Sequence, residues 1–590
     1  MKRAKIVCTV GPACADYDVL KRMAQAGMDV ARLNFSHGDH SSHGLHLDNI
    51  RRLESELKRP FGTMLDTKGP EIRTRGLKGH SPVLLESGMD LILTTEDLAA
   101  GDSARVGVTH APLASEICPG QSIYIDDGTL HLTVESVSGK EIKCKVVVGG
   151  ELGENKGISV PGVRTSLPVL TAKDIDDIRW ALEKRMDFIA LSFVRNRADI
   201  MDARRVLEDL GGTLRIIAKI ETRESVDNLD EIIEVVDGMM VARGDLGVEI
   251  PLEEVPVTQK RIVDLCRSHG KPVIVATQML DSMIRNVRAT RAEASDVANA
   301  VFDGADALML SGETASGAHP LLAVETMSRI IRMTEEGDFP WCRKLSPQTS
   351  SISIPDAVSN AAATISDQMR AHAVLSLTQS GGTAQMISKY RPKAQIIGAT
   401  PLEDTLRYMT LVWGIHPLFV PMEKNLEWAL ASAVEIAQKE SLLCEGDMVV
   451  ATAGSPIGSA GTTNSIQVLT VAKTILKGLS LLKRDASGVV VKAFSAAEAA
   501  EKMTEGAILV TKQTEREYVP AMRKAAAVIC EEGGLTSHAA IVALELRIPC
   551  IVSAAGALSV LDEGMTVTVD GTRGVVYRGI VRLHSDENFE

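Results

Sequence analysis

The chain has 590 residues, 45% of them apolar, 24% charged and 3% aromatic, with a formal net charge of −13. That length suggests about three to five domains of ordinary globular composition, and the negative charge argues against nucleic acid as the main partner. No run of about 18 apolar residues occurs, so no membrane span is expected, and nine scattered cysteines without a CxxC pair read as the reduced thiols of a cytoplasmic protein rather than as disulfides or a zinc site.

Eight short apolar runs between residues 5 and 315 each end in a polar or charged cluster. In order they close near Thr9 (KIVCTVGP), Asn34 and Ser36 (VARLNFSHG), Asp66 and Lys68 (GTMLDTKGPEIR), and Ser192 and Arg195 (FIALSFVR). They continue to Lys219 and Glu221 (IIAKIET), Arg243 and Asp245 (MMVARGDLGVEIP), Thr277 and Gln278 (PVIVATQML), and Ser311 and Glu313 (LMLSGETA). A continuous apolar run of this length reads as a strand buried on both faces. Helix-length amphipathic segments, such as 174–184 and 253–269, fill most gaps. Eight strand–helix units predict a (β/α)8 TIM barrel with its site at the carboxyl ends of the strands.

The barrel is interrupted. It is expected over residues 1–69 and 155–335, with a small β-domain of short β-branched runs and polar turns inserted at 70–154. A Ser/Pro-rich stretch, Ser346–Pro355, then precedes an open α/β domain at 350–477. A basic, Gly-containing linker leads to a β/α module, of the swivelling kind, at 488–590.

Five polar residues on three adjacent strand ends make the strongest candidate site. Lys219 and Glu221, two apart on one strand, point the same way. Asp245 follows on the next strand end, and two carboxylates suit a hard divalent cation such as Mg²⁺. A lysine beside that cation would neutralise charge on a transferring phosphoryl group. The glycines of ARGDLG free backbone N–H groups for a substrate carboxylate or phosphate. A structural ion-pair network explains one such pair as well, but five residues less readily. A second constellation joins Arg32, Asn34 and Ser36 to Asp66, Thr67 and Arg73: the oxygens fit a weakly held monovalent cation and the arginines fit phosphate. RLNFSHG alone could be a capped strand end. Neither a Walker A loop nor GxGxxG is present.

RLNFSHG, DTKGPEIR, AKIE, VARGDLGVEIP, ATQML, TRAEASDVANAVFDGADALMLSGETA and the GTTN near Asn464 resemble the pyruvate kinase family, in order and over residues 1 to about 475. The resemblance implies phosphoryl transfer from phosphoenolpyruvate to ADP, giving pyruvate and ATP, in a cytoplasmic homotetramer. Lys219, with Arg32 and Thr277, would be catalytic. Glu221 and Asp245 would hold Mg²⁺ (or Mn²⁺). Ala242, Arg243, Gly244, Asp245 and Thr277 would receive the substrate beside Lys219. Asn34, Ser36, Asp66 and Thr67 would bind K⁺. Arg73, Lys156, Pro12, His37 and Asn34 would contact nucleotide. The inserted domain would be a closing lid, and Glu71 matches the K⁺-dependent form. The sequence departs from the family at KIET (219–222), Glu224-Ser225, Ala289 and KGISVP, none of which removes a charged catalytic group.

In the α/β domain, TQSGGTA offers Thr378, Ser380, Gly381 and Thr383 to a phosphate, although a strand-to-helix cap explains the same residues. The resemblance implies a phosphorylated allosteric effector there, together with segment 454–463. The C-terminal EEGGLTSHAAIVALELRIPC resembles the phosphohistidine domain of phosphoenolpyruvate-utilising enzymes. His538 stands where a phosphate would be carried, but Ala543-Leu544 replaces the usual Ala-Arg, so a structural or regulatory role is expected. A phosphotransfer protein acting through His538 and a catalytically dead metabolite sensor are the competing readings.

Overall fold

A computed structural model describes residues 2–98, 100–337, 345, 353–423, 425–454, 463–471 and 474–579. Eight parallel strands close into a barrel: Lys5–Thr9, Val30–Asn34, Gly62–Asp66, Phe188–Leu191, Arg215–Ile220, Gly238–Ala242, Val273–Ala276 and Ala307–Leu310. Each pairs with its chain neighbour, and the first pairs with the last through Lys5–Ala307 and Cys8–Leu310. Their apolar runs are long because both faces are covered. In these eight strands only Asn34, Arg215 and Lys219 escape full burial. Asn34 and Lys219 stand at carboxyl ends, where the site was expected; Arg215 opens its strand at the opposite end.

The surrounding helices start where side chains can cap them. Thr171 and Asp174 form a reciprocal capping box at Ala172–Glu183, and Thr290 with Glu293 does the same at Arg291–Asp303. The helix expected from residue 253 begins at Val255, behind a single 3-10 turn (Leu252–Glu254), with Pro256 in its first turn where a missing N–H costs nothing.

Between the third and fourth barrel strands lies the inserted β-domain. Its seven-stranded sheet runs in the order Ile72–Arg73, Gly157–Ser159, Ser122–Ile125, Leu130–Ser138, Glu141–Val148, Asp90–Thr94, Arg105–Gly107. All pairs are antiparallel except the last. An isolated Thr74–Val108 bridge joins the two edges. Its core, from Ile72 to Val160, is almost entirely Leu, Ile and Val, as the low aromatic content requires.

The α/β domain carries a five-stranded sheet ordered Ile415–Phe419, Gln395–Thr400, Ala373–Leu377, Met448–Gly454, Thr463–Thr470. An ion pair of two almost fully buried side chains fastens this domain to the barrel. Arg391 Nη1 and Nη2 each lie 3.1 Å from Asp306 Oδ1, with 3% and 5% of the two side chains exposed. Asp306 also accepts from the backbone N–H groups of Val273 (3.1 Å) and Trp413 (3.1 Å), and the guanidinium stacks over the Trp413 ring. Arg407 repeats the pattern with Asp187 at the start of the fourth barrel strand, at 2.8 Å.

The described chain divides into two compact units: residues up to 433 with 450–467, and 434–449 with 468 onward. The second contains an eight-stranded sheet ordered Thr474–Lys477, Val575–Arg578, Thr566–Asp570, Asp485–Lys492, Ile508–Thr511, Ala527–Cys530, Cys550–Val552, Leu479–Ser480. Strand alternation splits its core in two: Val490, Ile508, Val510 and Ile529 pack in one cluster, and Val491, Leu509, Val528 and Cys530 in the other. No helix among the described residues is long and apolar enough to cross a membrane.

Removing one member of a buried pair strands the other charge without water. The substitution Asp306→Ala is therefore expected to destabilise the protein by about 3–5 kcal/mol, read as a lower midpoint in denaturant unfolding. A loss under about 1 kcal/mol would show that the pair does not fasten the domains.

Candidate active site

Three barrel strand ends meet around one ammonium group. Lys219 Nζ lies 2.8 Å from Glu221 Oε1, 3.2 Å from Asp66 Oδ1 and 2.9 Å from Ser192 Oγ, to which it donates. Burial works against its charge, but Asp66, Glu221 and Asp245 outweigh it and hold the ammonium above its ordinary range. Asp66, 1% exposed, also accepts from Arg32 Nε at 2.6 Å. Burial opposes its charge too, yet Arg32 and Lys219 keep it below the usual carboxylate range. Arg32 reaches on to Thr9 Oγ1 (2.9 Å), so the first, second, third and fifth strands share one charge network.

Glu221 and Asp245 form the other half. Glu221 Oε2 accepts from the Phe193 N–H at 2.7 Å, while the buried Oε1 faces the Lys219 ammonium at 2.8 Å. Burial first, then the charge of Asp245, pushes Glu221 up to about 7 against the opposing pull of Lys219. Asp245, in the first turn of the helix Arg243–Glu249, is pushed up by burial as well, with Asp127 and Asp66 adding to the effect. It lies within hydrogen-bonding reach of Glu221. Protein surrounds most of it, yet it stays open to solvent on one side. Two crowded carboxyls of this kind disfavour each other's charge and favour a cation beside them. Among the described residues no group of three or more His, Cys, Asp or Glu is arranged to hold a metal ion. The site offers two carboxylates, the number that Mg²⁺ takes when substrate and water supply the rest.

Thr277 ends the seventh strand with φ +68°, and Gln278 follows at +53°. A β-branched residue in the left-handed region costs about 1–3 kcal/mol, so the surroundings must impose it. Thr277 Oγ1 donates to Ala276 O (2.6 Å) and accepts from the Gly244 N–H (2.8 Å). The Arg243 guanidinium clamps the segment from the side, donating to Thr277 O at 2.8 Å and pairing with both oxygens of Asp296. Arg243 thus spends its guanidinium on the Thr277 backbone, whereas Gly244 and Asp245 stand open at the start of their helix.

The monovalent-cation candidates lie beside this cluster. Asn34 and Asp66 are register partners on adjacent strands. Asn34 Oδ1 accepts from the Ser36 N–H (3.2 Å), and Thr67 O accepts from Ser192 Oγ (2.7 Å). Arg73 and Lys156 belong to the inserted domain, whose last strand, Gly157–Ser159, carries it past the expected boundary at 154; there Arg73 donates to Glu71 (2.6 Å) and Asn155 O, and Lys156 pairs with Asp126 at 2.9 Å. Pro12 and His37 are exposed at separate barrel loops.

Sequence reasoning passed over Asp126, Asp127 and Asp296. The first two occupy a left-handed turn with φ 56° and 54°; the IDDGT signal was visible as a turn, but its approach to Asp245 was not. Asp296 sits mid-helix, without a local motif to distinguish it.

Away from the barrel mouth, the α/β domain holds a cavity of about 320 Å³ lined by Thr378, Ser380, Gly382 and Thr383, with Met386 and Val420 on its apolar side. Gly381, at φ +83°, shapes the loop and donates to Thr378 Oγ1. Thr463 also lines the cavity; residues 455–462 of the expected second segment lie outside the described residues. In the C-terminal module His538 opens the helix His538–Leu546, with Nδ1 2.9 Å from Thr514 Oγ1.

The pyruvate kinase barrel-domain model matches residues 1–324, the pyruvate kinase alpha/beta-domain model matches 356–469, and the mobile domain of PEP-utilising enzymes matches 503–574. Pyruvate kinases of Bacillus licheniformis and Geobacillus stearothermophilus are each 46% identical, across 98% of this chain and 99% of theirs. That of Staphylococcus epidermidis is 42% identical across 99% of this chain and 100% of its own. A crystal structure of a pyruvate kinase from Cryptosporidium parvum superposes with a TM-score of 0.75 at 38% identity, covering 80% of this chain and 96% of that one. The chain belongs to the pyruvate kinase family.

Proposed function

We propose that this enzyme transfers the phosphoryl group of phosphoenolpyruvate to ADP at the Lys219–Glu221–Asp245 cluster, with Mg²⁺ or Mn²⁺ and K⁺ as cofactors. The observation that carries this reading is the Lys219 ammonium held 2.8 Å from Glu221 and 3.2 Å from Asp66, with the Asp245 carboxyl within reach of Glu221. Glu221 and Asp245 would hold the divalent cation, which would supply charge neutralisation to the anionic substrate.

Lys219 acts on the phosphoryl group itself. Its ammonium is already oriented by Ser192, Asp66 and Glu221, so stabilising a transferring phosphoryl group needs little reorganisation. The Asp245 backbone N–H faces the substrate carboxylate, beside the Thr277 hydroxyl that the Gly244 N–H holds in place. The phosphorus–oxygen bond to the enol breaks as a terminal oxygen of ADP bonds to phosphorus, leaving an enolate. Protonation of that enolate on carbon gives pyruvate, and the Thr277 hydroxyl belongs to the path by which the proton arrives.

Asn34, Ser36, Asp66 and Thr67 supply the oxygens for K⁺, next to Arg32, whose positive charge faces the same phosphoryl group. Arg73 and Lys156 reach nucleotide phosphates from the inserted domain, which closes as a lid and excludes water; Pro12, His37 and Asn34 border the nucleoside. A phosphorylated effector, sugar phosphate or nucleotide, is assigned to the cavity of the α/β domain, where hydroxyls and the Gly381 turn favour an anion.

Three measurements test the reading. The substitution Lys219→Met is expected to lower kcat by about 10²–10³-fold or more, with a small change in the KM of phosphoenolpyruvate; a raised KM with kcat unchanged would assign Lys219 to ground-state binding instead. Divalent-cation binding is expected to release close to one proton below pH 7 and progressively less above it, because Glu221 titrates near 7 before the cation arrives. Calorimetry in buffers of differing ionisation enthalpy reads that number directly, and no release at pH 6 would refute the raised titration of Glu221. Pyruvate formation is expected to need K⁺; equal rates in Na⁺ would remove the monovalent-cation role while keeping the enzyme.

A further inference from the structure

The turn 34–38 carries Asn34, Ser36 and His37 and is closed within itself by two bonds of 3.2 Å, His37 N–H to Asn34 O and Ser36 N–H to Asn34 Oδ1. Two helices hold it from outside. From the helix Ala172–Glu183, Lys173 Nζ donates to Phe35 O at 3.1 Å and to Asp177 Oδ2 at 2.6 Å. From the helix His40–Leu57, His40 Nε2 donates to Asp177 Oδ1 at 2.7 Å, and His43 Nε2 donates to His37 O at 2.9 Å. The rings complete the clamp: His43 stacks on Phe35 at 4.3 Å, His40 stacks on Trp180 at 5.3 Å, and Phe35 lies against Trp180 at 5.7 Å.

Asp177, on the helix Ala172–Glu183, ties that helix to His40 of the other. Its side chain is 2% exposed, while its partners His40 and Lys173 are 35% and 50% exposed. A carboxylate buried that deeply, with each oxygen on a different donor, fixes two otherwise mobile side chains at once. The carbonyls of Phe35 and His37, on either side of Ser36, are both tied down by this arrangement. The helix that supplies Lys173 is also the first barrel helix after the inserted domain's last strand, Gly157–Ser159.

We propose that Asp177 is a positioning residue for the monovalent-cation site: through Lys173 and His40 it holds the 34–38 turn in the shape that presents Asn34 and Ser36 to the cation. This rests on the K⁺ assignment made above. A weakly bound cation gains affinity chiefly from ligands that need no reordering, so the effect of losing Asp177 falls on cation affinity rather than on the chemical step.

The test compares Asp177→Asn and Lys173→Met with the parent and with Ser36→Ala. Lys173 is half exposed, so its variant keeps the fold even where Asp177→Asn does not. Both clamp variants are expected to raise the K⁺ concentration for half-maximal activation by about tenfold, which corresponds to about 1.4 kcal/mol, with kcat at saturating K⁺ and the KM of phosphoenolpyruvate within about twofold. An activity-independent readout accompanies this: the K⁺-induced rise in the thermal unfolding midpoint, with Na⁺ as reference, should need correspondingly more K⁺. If Ser36→Ala moves both readouts and the clamp variants move neither, the positioning role is refuted and the K⁺ site stands. If the clamp variants lower kcat at every K⁺ concentration without shifting the K⁺ requirement, Asp177 is merely structural and the proposal fails. If Ser36→Ala leaves both readouts unchanged, the K⁺ assignment fails and this inference falls with it.

Discussion

One largely enclosed cation, Lys219, organises the barrel mouth. Lys219 stands between Asp66 and Glu221, and without it two carboxylates, each 1% exposed, would face each other in a dry interior. The cost of burying those carboxylates is offset only because the ammonium serves both, and because Arg32 takes the remaining oxygen of Asp66. Charge balance and site geometry are therefore one problem with one solution. The residues that stabilise the closed barrel at this end, drawn from the third, fourth and fifth strands, are those proposed to meet the substrate.

Strain is placed next to this hub. Thr277 adopts a backbone conformation unfavourable for its side chain, held there by Arg243, Asp296 and Gly244. None of these contacts competes with the Lys219 network, so the threonine hydroxyl can be adjusted independently of the carboxyl pair. Pre-organisation of this kind is a recurrent use of stored strain in enzyme sites.

The fold was legible because its signals are local and repeated. Apolar runs buried on both faces have no polar alternation, and they mark a parallel barrel without any knowledge of contacts. The interruption after Asp66 was equally plain, as β-branched runs with turn residues replaced the helical pattern. Lys219, Glu221 and Asp245 could be brought together because strand ends of a barrel meet by construction. What stayed hidden depends on pairing between distant segments. Arg243 looks like a substrate ligand in ARGDLG, yet its guanidinium is spent on Asp296, 53 residues away. Asp127 approaches Asp245 only because the inserted domain folds over the barrel, and Asp177 acquires its place from two helices whose sequences carry no shared motif.

The ion pair between Arg391 and Asp306 bears on how this chain was assembled. Asp306 divides its oxygens between Val273, inside the barrel, and Trp413 and Arg391, in the α/β domain. A barrel expressed alone would expose a carboxylate shaped for a guanidinium that is absent, and the α/β domain alone would carry an arginine stacked on tryptophan with nothing to neutralise it. The two modules are consequently not interchangeable parts. A chimera between relatives would have to exchange Asp306, Arg391 and Trp413 together, so descent should have transmitted them as one hereditary unit although more than 80 positions separate the first two.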